Sequence, residues 1–333
     1  MKITPIIASL SKPTYKQFFR DITEYHEILS QIHPVDPELS YAYLVEQINA
    51  YRAEVLLTGW GSVSLPESFL QDCPTIRYVC HITGELRWLL PRSLIQDGLL
   101  VTNWGSVISD NVAEAALFLI LACCRRAANA VMTMHIRHGW DLNVEPPVSL
   151  LDKRVGIHGF GNVAQQLTLL LKPFRCSISA YSPPVPDAIF EAFSTKRETS
   201  LEHLFEANDV IVELEAFTNH TERLVGKSLL DRVRPGGVFV NAGRGKVVCE
   251  QDLEEVASRG IIFVGLDVFS QEPLLPDSPL RGLENVFLTP HFAGPTADRI
   301  SLCGKHALAN ILAYHLGDPL DSVIGVSEYD RMT

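Results

Sequence analysis

Arg244, Glu272 and His291 each lie just beyond a short apolar run in the C-terminal half of the sequence. These runs have the composition of β-strands, and they are Val238–Val240, Ile261–Leu266 and Val286–Leu288. Parallel strands of an open α/β sheet end at one edge, and ligands bind in the crevice outside that edge. We therefore expect the three side chains to converge. Together, an arginine, a carboxylate and a histidine can bind an organic acid and move a proton to or from its neighbouring oxygen.

The elements that position these residues are indicated by alternating patterns along the chain. From Leu151 to Leu288, strand-like runs alternate with helical segments, which predicts a doubly wound parallel sheet in an α/β fold. Residues 1–105 mix apolar runs with turn signals and predict a first α/β domain, which a helix from Ala297 onward would complete. We predict one domain formed by residues 1–105 and 296–333, with a second domain, 106–295, inserted in it.

A long helical pattern runs from Asn111 to about His138, and its first half, Ala113–Cys124, is apolar on every side. A helix without a polar face has to be covered all round. We predict that it packs between the domains or against a second subunit, and that the protein is a homodimer.

A glycine-rich segment, Gly159–Ala164, follows a predicted strand and opens a predicted helix. In a G-x-G-x-x-A pattern the first glycine, Gly159, permits the tight turn and the second, Gly161, lets the backbone approach a pyrophosphate. N–H groups at the start of the helix, at Asn162 and Val163, would hold the phosphates. This context favours a dinucleotide site over a plain turn.

The position where such a site usually carries a ribose-binding acid holds Ser182. Without the acid nothing repels a 2′-phosphate, yet no arginine follows immediately to bind one. The predicted cofactor is therefore NAD(H) or NADP(H), with a small preference for NAD. Lys196 and Arg197 are alternatives for a 2′-phosphate contact, although solvated positions are expected for both.

Four segments together resemble the D-isomer-specific 2-hydroxyacid dehydrogenases, the family that includes D-lactate, glyoxylate/hydroxypyruvate and phosphoglycerate dehydrogenases. They are Gly156–Gly161, Val240–Gly245, Leu266–Pro273 and Asn285–His291. The resemblance implies a Rossmann dinucleotide-binding domain inserted in a flavodoxin-like substrate domain. It also implies hydride transfer between a nicotinamide cofactor and a small 2-oxo or 2-hydroxy acid of the D series.

The same resemblance implies roles for individual residues. Arg244 would bind the substrate carboxylate with two parallel donors, and His291 would exchange a proton with the substrate oxygen, as an imidazole can near neutral pH. Glu272 would hold the other ring nitrogen and stabilise the imidazolium. Further cofactor contacts would be Ala242, Gly243, Asp267 and Gly294, with Asp267 near the nicotinamide amide.

Three departures from the family pattern bear on the site. His81–Glu85 stands where relatives have a glycine-rich substrate loop; the amides of Thr83 and Gly84 would bind the carboxylate there, and a plain turn is the alternative. Leu214–Thr221 departs from the family's segment, which usually carries a histidine and a proline before its Thr-x-x-Thr and lies near the cofactor. Trp140 matches a tryptophan that reaches the partner's active site in some relatives, with an interface or core position as the alternative.

Composition excludes several classes of function. A formal net charge of −11 argues against binding nucleic acid or an anionic membrane surface. Seven cysteines without a C-x-x-C pair are expected to be reduced thiols of a cytoplasmic protein. No secretory signal is evident, and Val112–Cys124, the most apolar stretch, is too short to cross a bilayer. No histidine spacing predicts a metal site.

The leading hypothesis is thus a cytoplasmic NAD(P)-dependent reductase of small 2-oxo acids, with catalysis in a cleft between the domains. A dinucleotide-sensing regulatory or corepressor-like protein on the same fold is the alternative, but the presence of all three catalytic residue types favours the enzyme. Phosphoglycerate dehydrogenase is a narrower alternative, ranked lower because no cluster of cations marks a phosphate pocket in the first domain.

Overall fold

The computed structural model describes residues 3–140 and 145–331, which form two compact units. Unit 1 consists of the residues up to Ile108 together with those from Pro295 onward, and unit 2 is Ser109–Gly294. Each unit is built on one parallel sheet accompanied by helices. The predicted fold class, two α/β domains with parallel sheets, is confirmed.

Unit 1 has a five-stranded sheet of order β2-β1-β3-β4-β5, the flavodoxin-like order. Its strands are β1 Ile6–Ser9, β2 Ile32–Val35, β3 Val55–Thr58, β4 Tyr78–His81 and β5 Leu100–Thr102. Every residue of β1, β3 and β4 is buried, as expected for strands covered on both faces. Its helices are α1 Lys12–Phe19, α2 His26–Leu29, α3 Tyr41–Tyr51, α4 Phe69–Asp72, α5 Arg92–Gln96, α13 Ile300–Leu316 and α14 Val326–Arg331.

The helix α13 closes unit 1 by packing against α1 and β4. A Cβ atom at Gly304 would lie 1.9 Å from the carbonyl oxygen of Phe18, so the close approach of α13 to α1 requires glycine. The chain beyond α13 returns to the sheet, where Ile324 donates its N–H to the carbonyl oxygen of Val101 at 2.8 Å. Unit 1 therefore depends on both ends of the sequence.

Unit 2 has a seven-stranded parallel sheet of order β12-β11-β10-β9-β6-β7-β8. Its strands are β6 Arg154–His158, β7 Ser177–Tyr181, β8 Lys196–Arg197, β9 Val210–Glu213, β10 Val238–Asn241, β11 Phe263–Leu266 and β12 Val286–Leu288. The order reverses between β6 and β9, and ligands of such sheets bind beyond the strand ends at this switch point.

The helices of unit 2 include a short one after most strands. They are α6 Ser109–Cys124, α7 Ala127–Val131, α8 Asn162–Leu171, α9 Asp187–Ala192, α10 Leu201–Ala207, α11 Lys227–Leu230 and α12 Glu250–Ser258, with a π-helix at Met132–Ile136 and 3₁₀ turns at Lys172–Phe174 and Gly245–Val247. The glycine-rich turn before α8 thus lies between strand and helix, as predicted.

The predicted continuous helix from Asn111 to His138 is wrong. It begins at Ser109, ends at Cys124, and resumes as α7 and the π-helix after a bend of 70°. Arg126 makes the bend with a left-handed φ of 57°, and its guanidinium stacks 3.2 Å from the centre of the Phe263 ring. No single helix among the described residues is long and apolar enough to span a membrane, although the bent pair passes that test of length and composition.

Much of the apolar surface of α6 is covered by its own unit. Ala116, Leu119, Ile120 and Cys123 are buried in a core shared with β6 and β10, and α6 packs on α8, β10 and β11. A Cβ at Gly265 of β11 would lie 3.0 Å from the Cys123 sulfur, so helix and sheet are in close contact. The expected cover from another domain or subunit is therefore not needed for this part of the helix.

Candidate active site

The strands β10, β11 and β12 are neighbours and end in register at Asn241, Leu266 and Leu288. The loops that carry Arg244, Glu272 and His291 leave the sheet from these ends. The convergence expected from the sequence is thus a property of three adjacent parallel strands.

His291 and Glu272 are in direct contact. Nδ1 of the imidazole lies 2.6 Å from Oε2 of the carboxylate, and the side chains are 51% and 35% exposed. The second carboxylate oxygen accepts the N–H of Phe269 at 2.9 Å, which fixes the orientation of Glu272. With Nδ1 engaged, Nε2 is the ring nitrogen that can serve a substrate.

The loop that carries His291 is held by the buried carboxylate of Asp267. One oxygen accepts from the Thr289 hydroxyl at 2.6 Å and from the Phe292 amide at 3.0 Å, and the other accepts from the Ala293 amide at 3.0 Å. His291 itself has a φ of 52°, a left-handed conformation that non-glycine residues rarely adopt. Such strain persists only where surrounding contacts impose it, and it is concentrated at functional sites.

Arg244 lies in a turn stabilised by Asn241 at the end of β10. The Asn241 side chain accepts the Gly243 N–H at 3.0 Å and donates to the Arg244 carbonyl at 3.1 Å. A Cβ at Gly245 would lie 1.9 Å from the Phe269 carbonyl carbon, so this turn is pressed against the segment that holds Glu272. The arginine loop and the carboxylate loop are therefore joined by backbone contact.

A cavity of about 590 Å³ reaches the histidine–glutamate pair within unit 2. Its walls are formed by Phe269, Glu272, Pro273, Leu274, Arg281, Leu288, Thr289, Pro290 and His291. The lining is mainly apolar around three ionisable side chains, those of Glu272, Arg281 and His291, as is usual for small-molecule sites.

The glycine-rich turn has the geometry that a dinucleotide pyrophosphate requires. Gly159 has a φ of 85°, and a Cβ there would lie 2.6 Å from Cα of Glu215. A Cβ at Gly161 would meet no atom within 4 Å, so there is open space above the turn. Asn162 and Val163 begin α8. The free N–H groups of the first helical turn point out of the N-terminal end of the helix, where the helix dipole is positive. The residues present thus fit the phosphates of NAD(H) or NADP(H).

Ser182 lies at the end of β7, and it is buried. The adjacent strand β8 carries Lys196 and Arg197, both of which are engaged by carboxylates. The Lys196 ammonium lies 2.6 Å from Glu198, and the Arg197 guanidinium contacts Asp187 and donates to the Pro183 carbonyl at 3.0 Å. Both cations are ion-paired; the Lys196 side chain is 67% exposed, in line with the solvated position expected from the sequence, whereas that of Arg197 is 31% exposed.

Ala242 and Gly243 follow β10, and Gly294 ends unit 2. A Cβ at Gly243 would lie 3.0 Å from Cα of Leu214, so the arginine loop also contacts the segment after β9. A Cβ at Gly294 would meet nothing within 4 Å.

Thr83 and Gly84 belong to unit 1, where they follow β4. The buried His81 bridges the Thr58 hydroxyl at 2.9 Å and the Thr83 hydroxyl at 2.5 Å, and burial lowers the pKa of His81 to about 3. A Cβ at Gly84 would lie 2.8 Å from the Trp104 indole nitrogen, and in the described part of the chain neither the Thr83 nor the Gly84 amide donates to a backbone carbonyl. The turn is rigid, with two backbone donors available.

A second histidine–glutamate pair was not predicted from the sequence. Nδ1 of His158, at the end of β6, lies 2.6 Å from Oε2 of Glu213, at the end of β9, and the side chains are 1% and 0% exposed. Burial opposes the charge on the imidazole, but the Glu213 carboxylate outweighs it and raises the pKa of His158. The sequence signal for this pair was an ionisable residue at the carboxyl end of each strand, directly after apolar residues.

No group of three His, Cys, Asp or Glu residues suited to a metal ion occurs in ranges 3–140 and 145–331.

Comparison with known proteins shows the family of this chain. Residues 117–293, more than half of the chain, match the sequence profile of the D-isomer specific 2-hydroxyacid dehydrogenase family, NAD binding domain. The chain belongs to this family. A D-isomer-specific 2-hydroxyacid dehydrogenase is an oxidoreductase that transfers a hydride between NAD(P) and a 2-hydroxy acid, so the predicted enzyme class is confirmed.

Individual relatives of this dehydrogenase cover most of its length. Glyoxylate/hydroxypyruvate reductase HPR3 of Arabidopsis thaliana is 34% identical over 270 residues, which cover 79% of this chain and 81% of the relative. A glyoxylate reductase of Korarchaeum cryptofilum is 31% identical over 254 residues, covering 74% and 76%. The regulatory alternative is not favoured, because such relatives are named as reductases.

Solved structures share the fold of this dehydrogenase at lower sequence identity. The apo form of Rhodotorula graminis D-mandelate dehydrogenase superposes with a TM-score of 0.84 at 19% identity, covering 97% of this chain and 98% of that one. At this identity the likeness concerns the fold alone.

Proposed function

We propose that this dehydrogenase reduces small 2-oxo acids of the glyoxylate and hydroxypyruvate class to 2-hydroxy acids, with the D configuration where the product is chiral. The observation that carries the proposal is the 2.6 Å contact between His291 and Glu272 beside the Arg244 turn. The substrate names of the two reductase relatives support it.

Arg244 is proposed to bind the substrate carboxylate. A planar guanidinium offers two parallel donors, so it fixes both the position and the orientation of the acid. Its turn is held by Asn241 and by the close packing of Gly245, so the guanidinium starts from a well-defined backbone position. The amides of Thr83 and Gly84 in unit 1 are proposed, separately, as substrate-binding donors.

His291 is proposed to give a proton from Nε2 to the carbonyl oxygen of the 2-oxo acid and to take it back in the reverse direction. A nicotinamide cofactor, when bound, would supply or accept the hydride at the carbonyl carbon. Glu272 stabilises the imidazolium through Nδ1 and keeps the ring oriented. Because both side chains are partly exposed, the proton can be replaced from water after each turnover.

Asp267 is proposed to act chiefly by holding the His291 loop. Its carboxylate already accepts three hydrogen bonds from Thr289, Phe292 and Ala293. The role near the nicotinamide amide remains part of the proposal, since a carboxylate has about four acceptor positions. The dinucleotide phosphates are assigned to Gly159, Gly161, Asn162 and Val163.

For the cofactor we propose a preference for NAD over NADP. Lys196 and Arg197, the first cations that follow Ser182 in the sequence, are paired with Glu198 and Asp187. Binding a 2′-phosphate would require at least one of these pairs to break. The ratio of kcat/KM for NADH and NADPH tests this preference, and a ratio in favour of NADPH would contradict it.

A homodimer is proposed from the exposed apolar side chains after the bend in the long helical region. Val131, Met134, Ile136 and Trp140 are 47%, 46%, 67% and 78% exposed. Sedimentation equilibrium tests this, and Trp140→Ala combined with Ile136→Asp should give monomers. An unaltered protein that sediments as a monomer at micromolar concentration would contradict the proposal.

A cytoplasmic location is also proposed, because all seven cysteines are free and six are buried. Burial raises the pKa of Cys73 and Cys303 to about 12, so these thiols are poorly reactive. Fractionation of cells that make the tagged full chain tests the location.

The decisive experiment is a substrate panel with both cofactors. Oxidation of NADH and NADPH is followed with glyoxylate, hydroxypyruvate, pyruvate, phenylpyruvate and 3-phosphohydroxypyruvate. The aromatic acid is included because Trp60, 46% exposed, forms an edge-to-face contact with Trp104 after β3 and β5. Highest kcat/KM with glyoxylate or hydroxypyruvate supports the proposal, and highest kcat/KM with either of the last two acids contradicts it.

A further inference from the structure

The end of β9 carries a segment, Glu213–Glu215, that lies between two functional loops. On one side is the glycine-rich turn Gly159–Val163, called the phosphate turn below. A Cβ at Gly159 in this turn would come within 2.6 Å of the Glu215 amide nitrogen and Cα. On the other side, a Cβ at Gly243 in the arginine loop would come within 3.0 Å of Cα of Leu214. A shift of this segment by a fraction of an ångström would therefore displace the phosphate turn, the arginine loop, or both.

The side chain of Glu213 holds this segment in place through two contacts. Its Oε1 accepts the N–H of Glu215 at 2.8 Å, which closes the turn, and its Oε2 lies 2.6 Å from Nδ1 of His158. His158 and Glu213 are also register partners on adjacent strands, and the Leu214 N–H donates to the His158 carbonyl at 2.9 Å. One carboxylate thus links the strand that enters the phosphate turn to the segment that the turn packs against.

Burying such a pair costs free energy, so its presence in the core calls for a functional reason. Removing two charges from water carries a desolvation penalty that their attraction often fails to repay, and apolar residues of similar volume serve a core equally well. The strand residues that directly precede the pair, Val155–Ile157 and Val210–Val212, are apolar and buried. Ionisable residues occur where both strands reach the switch point, which is the end that serves the dinucleotide.

We infer that His158 and Glu213 are positioning residues for the cofactor, which hold the phosphate turn in its binding geometry through the Glu213–Glu215 segment. They do not contact the reacting atoms, and their effect is on cofactor affinity and not on proton transfer. The inference rests on the assignment of Gly159–Val163 to the cofactor phosphates made above.

The test is the dissociation constant of NADH, and of NADPH, measured by fluorescence titration of the full chain without substrate. Glu213→Gln can keep both contacts, because its carbonyl oxygen accepts the Glu215 N–H and its amide group can donate to Nδ1 of a neutral His158, so it should bind NADH nearly as the unaltered protein does. Glu213→Leu removes them and should raise the Kd by about tenfold or more, the equivalent of a hydrogen bond to a charged group. At saturating cofactor, kcat should change little in either variant.

A double variant covers the case in which Glu213→Leu fails to fold. His158→Leu with Glu213→Leu leaves no unpaired charge, so it should fold, but the Glu215 N–H loses its acceptor and the raised Kd should persist. Asp152→Asn is the matched control, because Asp152 is an exposed, ion-paired carboxylate just before β6. It should leave the Kd unchanged.

The outcomes separate this inference from the proposed function. A folded double variant that binds NADH as tightly as the unaltered protein overturns the positioning role and shows that the pair serves stability alone. Equal weakening by Glu213→Gln and Glu213→Leu also overturns it, since the acceptor geometry is then irrelevant. If the unaltered protein binds neither NADH nor NADPH, the assignment of the phosphate turn itself fails.

Discussion

Two histidine–glutamate pairs among the described residues of unit 2 share the same short contact in different surroundings. In each pair Nδ1 of the imidazole lies 2.6 Å from a carboxylate oxygen. His291 and Glu272 are partly exposed, whereas His158 and Glu213 are sealed from solvent. Because the contact with the carboxylate is the same in both pairs, differences in their behaviour are expected to come from solvent access.

Access to water decides which pair can exchange protons. At His291 solvent can replace a proton that has been given to a substrate, and it also screens the charges, so the pair adds little to stability. At His158 no solvent reaches the ring, and loss of either charge would leave its partner unpaired in a medium where that costs several kcal/mol. The same two residue types are thus suited to catalysis in one place and to fixing a backbone in the other.

The largest effect is expected on turnover at the exposed pair. His291→Asn removes the proton donor and keeps a residue that tolerates the left-handed φ, so kcat should fall by about 10²- to 10⁴-fold. Steady-state kinetics with the best 2-oxo acid measures this. The Kd of NADH should stay the same, and activity close to that of the unaltered enzyme would remove His291 from the mechanism.

The buried pair should dominate stability. Glu213→Leu leaves the His158 imidazolium without a partner, and the free energy of unfolding should fall by about 3–5 kcal/mol. Urea unfolding without cofactor measures the loss. Asp152→Asn, which breaks the exposed pair with Arg175, should cost less than about 1 kcal/mol. Equal losses in the two variants would show that burial does not distinguish the pairs.

The pH dependence of stability should also come from the buried pair. Because the pKa of His158 is raised in the folded protein, its stabilisation is complete below the unfolded value of about 6.5 and is lost as pH rises through the folded pKa. Urea midpoints measured from pH 6 to pH 9 should therefore decline less in the His158→Leu, Glu213→Leu double variant than in the unaltered protein. Parallel curves for the two proteins would be inconsistent with this linkage.

The smallest effect is expected on stability at the exposed pair. Glu272→Gln should change the free energy of unfolding by less than about 1 kcal/mol, because solvent screens both partners. Its kcat should nevertheless fall, since the imidazolium loses its counter-charge. Thermal unfolding and kinetics on the same preparation give both values, and a stability loss as large as that of Glu213→Leu would remove the contrast between the pairs.

Strand–helix alternation was sufficient to predict the sheets, since it depends on local sequence. The alternation also predicted that Arg244, Glu272 and His291 lie at one edge of the sheet. The strands β10, β11 and β12 are parallel neighbours, so their carboxyl ends lie at the same edge. The continuous helix was mispredicted because the bend depends on the left-handed Arg126 and its contact with Phe263, a residue distant in sequence. Helical periodicity does not record such contacts.

The support of the site could not be predicted in the same way. Asp267 was assigned to the cofactor, but its hydrogen bonds to the amides of Phe292 and Ala293 depend on the backbone path after β12. His158 and Glu213 are 55 residues apart and become neighbours only because β9 is placed beside β6. Residue type was visible in the sequence, whereas adjacency required the strand order.

The glycine contact between α13 and α1 has a consequence for biosynthesis. Unit 1 needs the helix that bears Gly304, and the ribosome makes that helix only after all of Ser109–Gly294 has been translated. Unit 2, which is continuous in sequence, can therefore fold during translation. The first hundred or so residues, which belong to unit 1, cannot complete their core until α13 has been made. Nascent chains stalled before Pro295 should expose that amino-terminal stretch to chaperones and proteases.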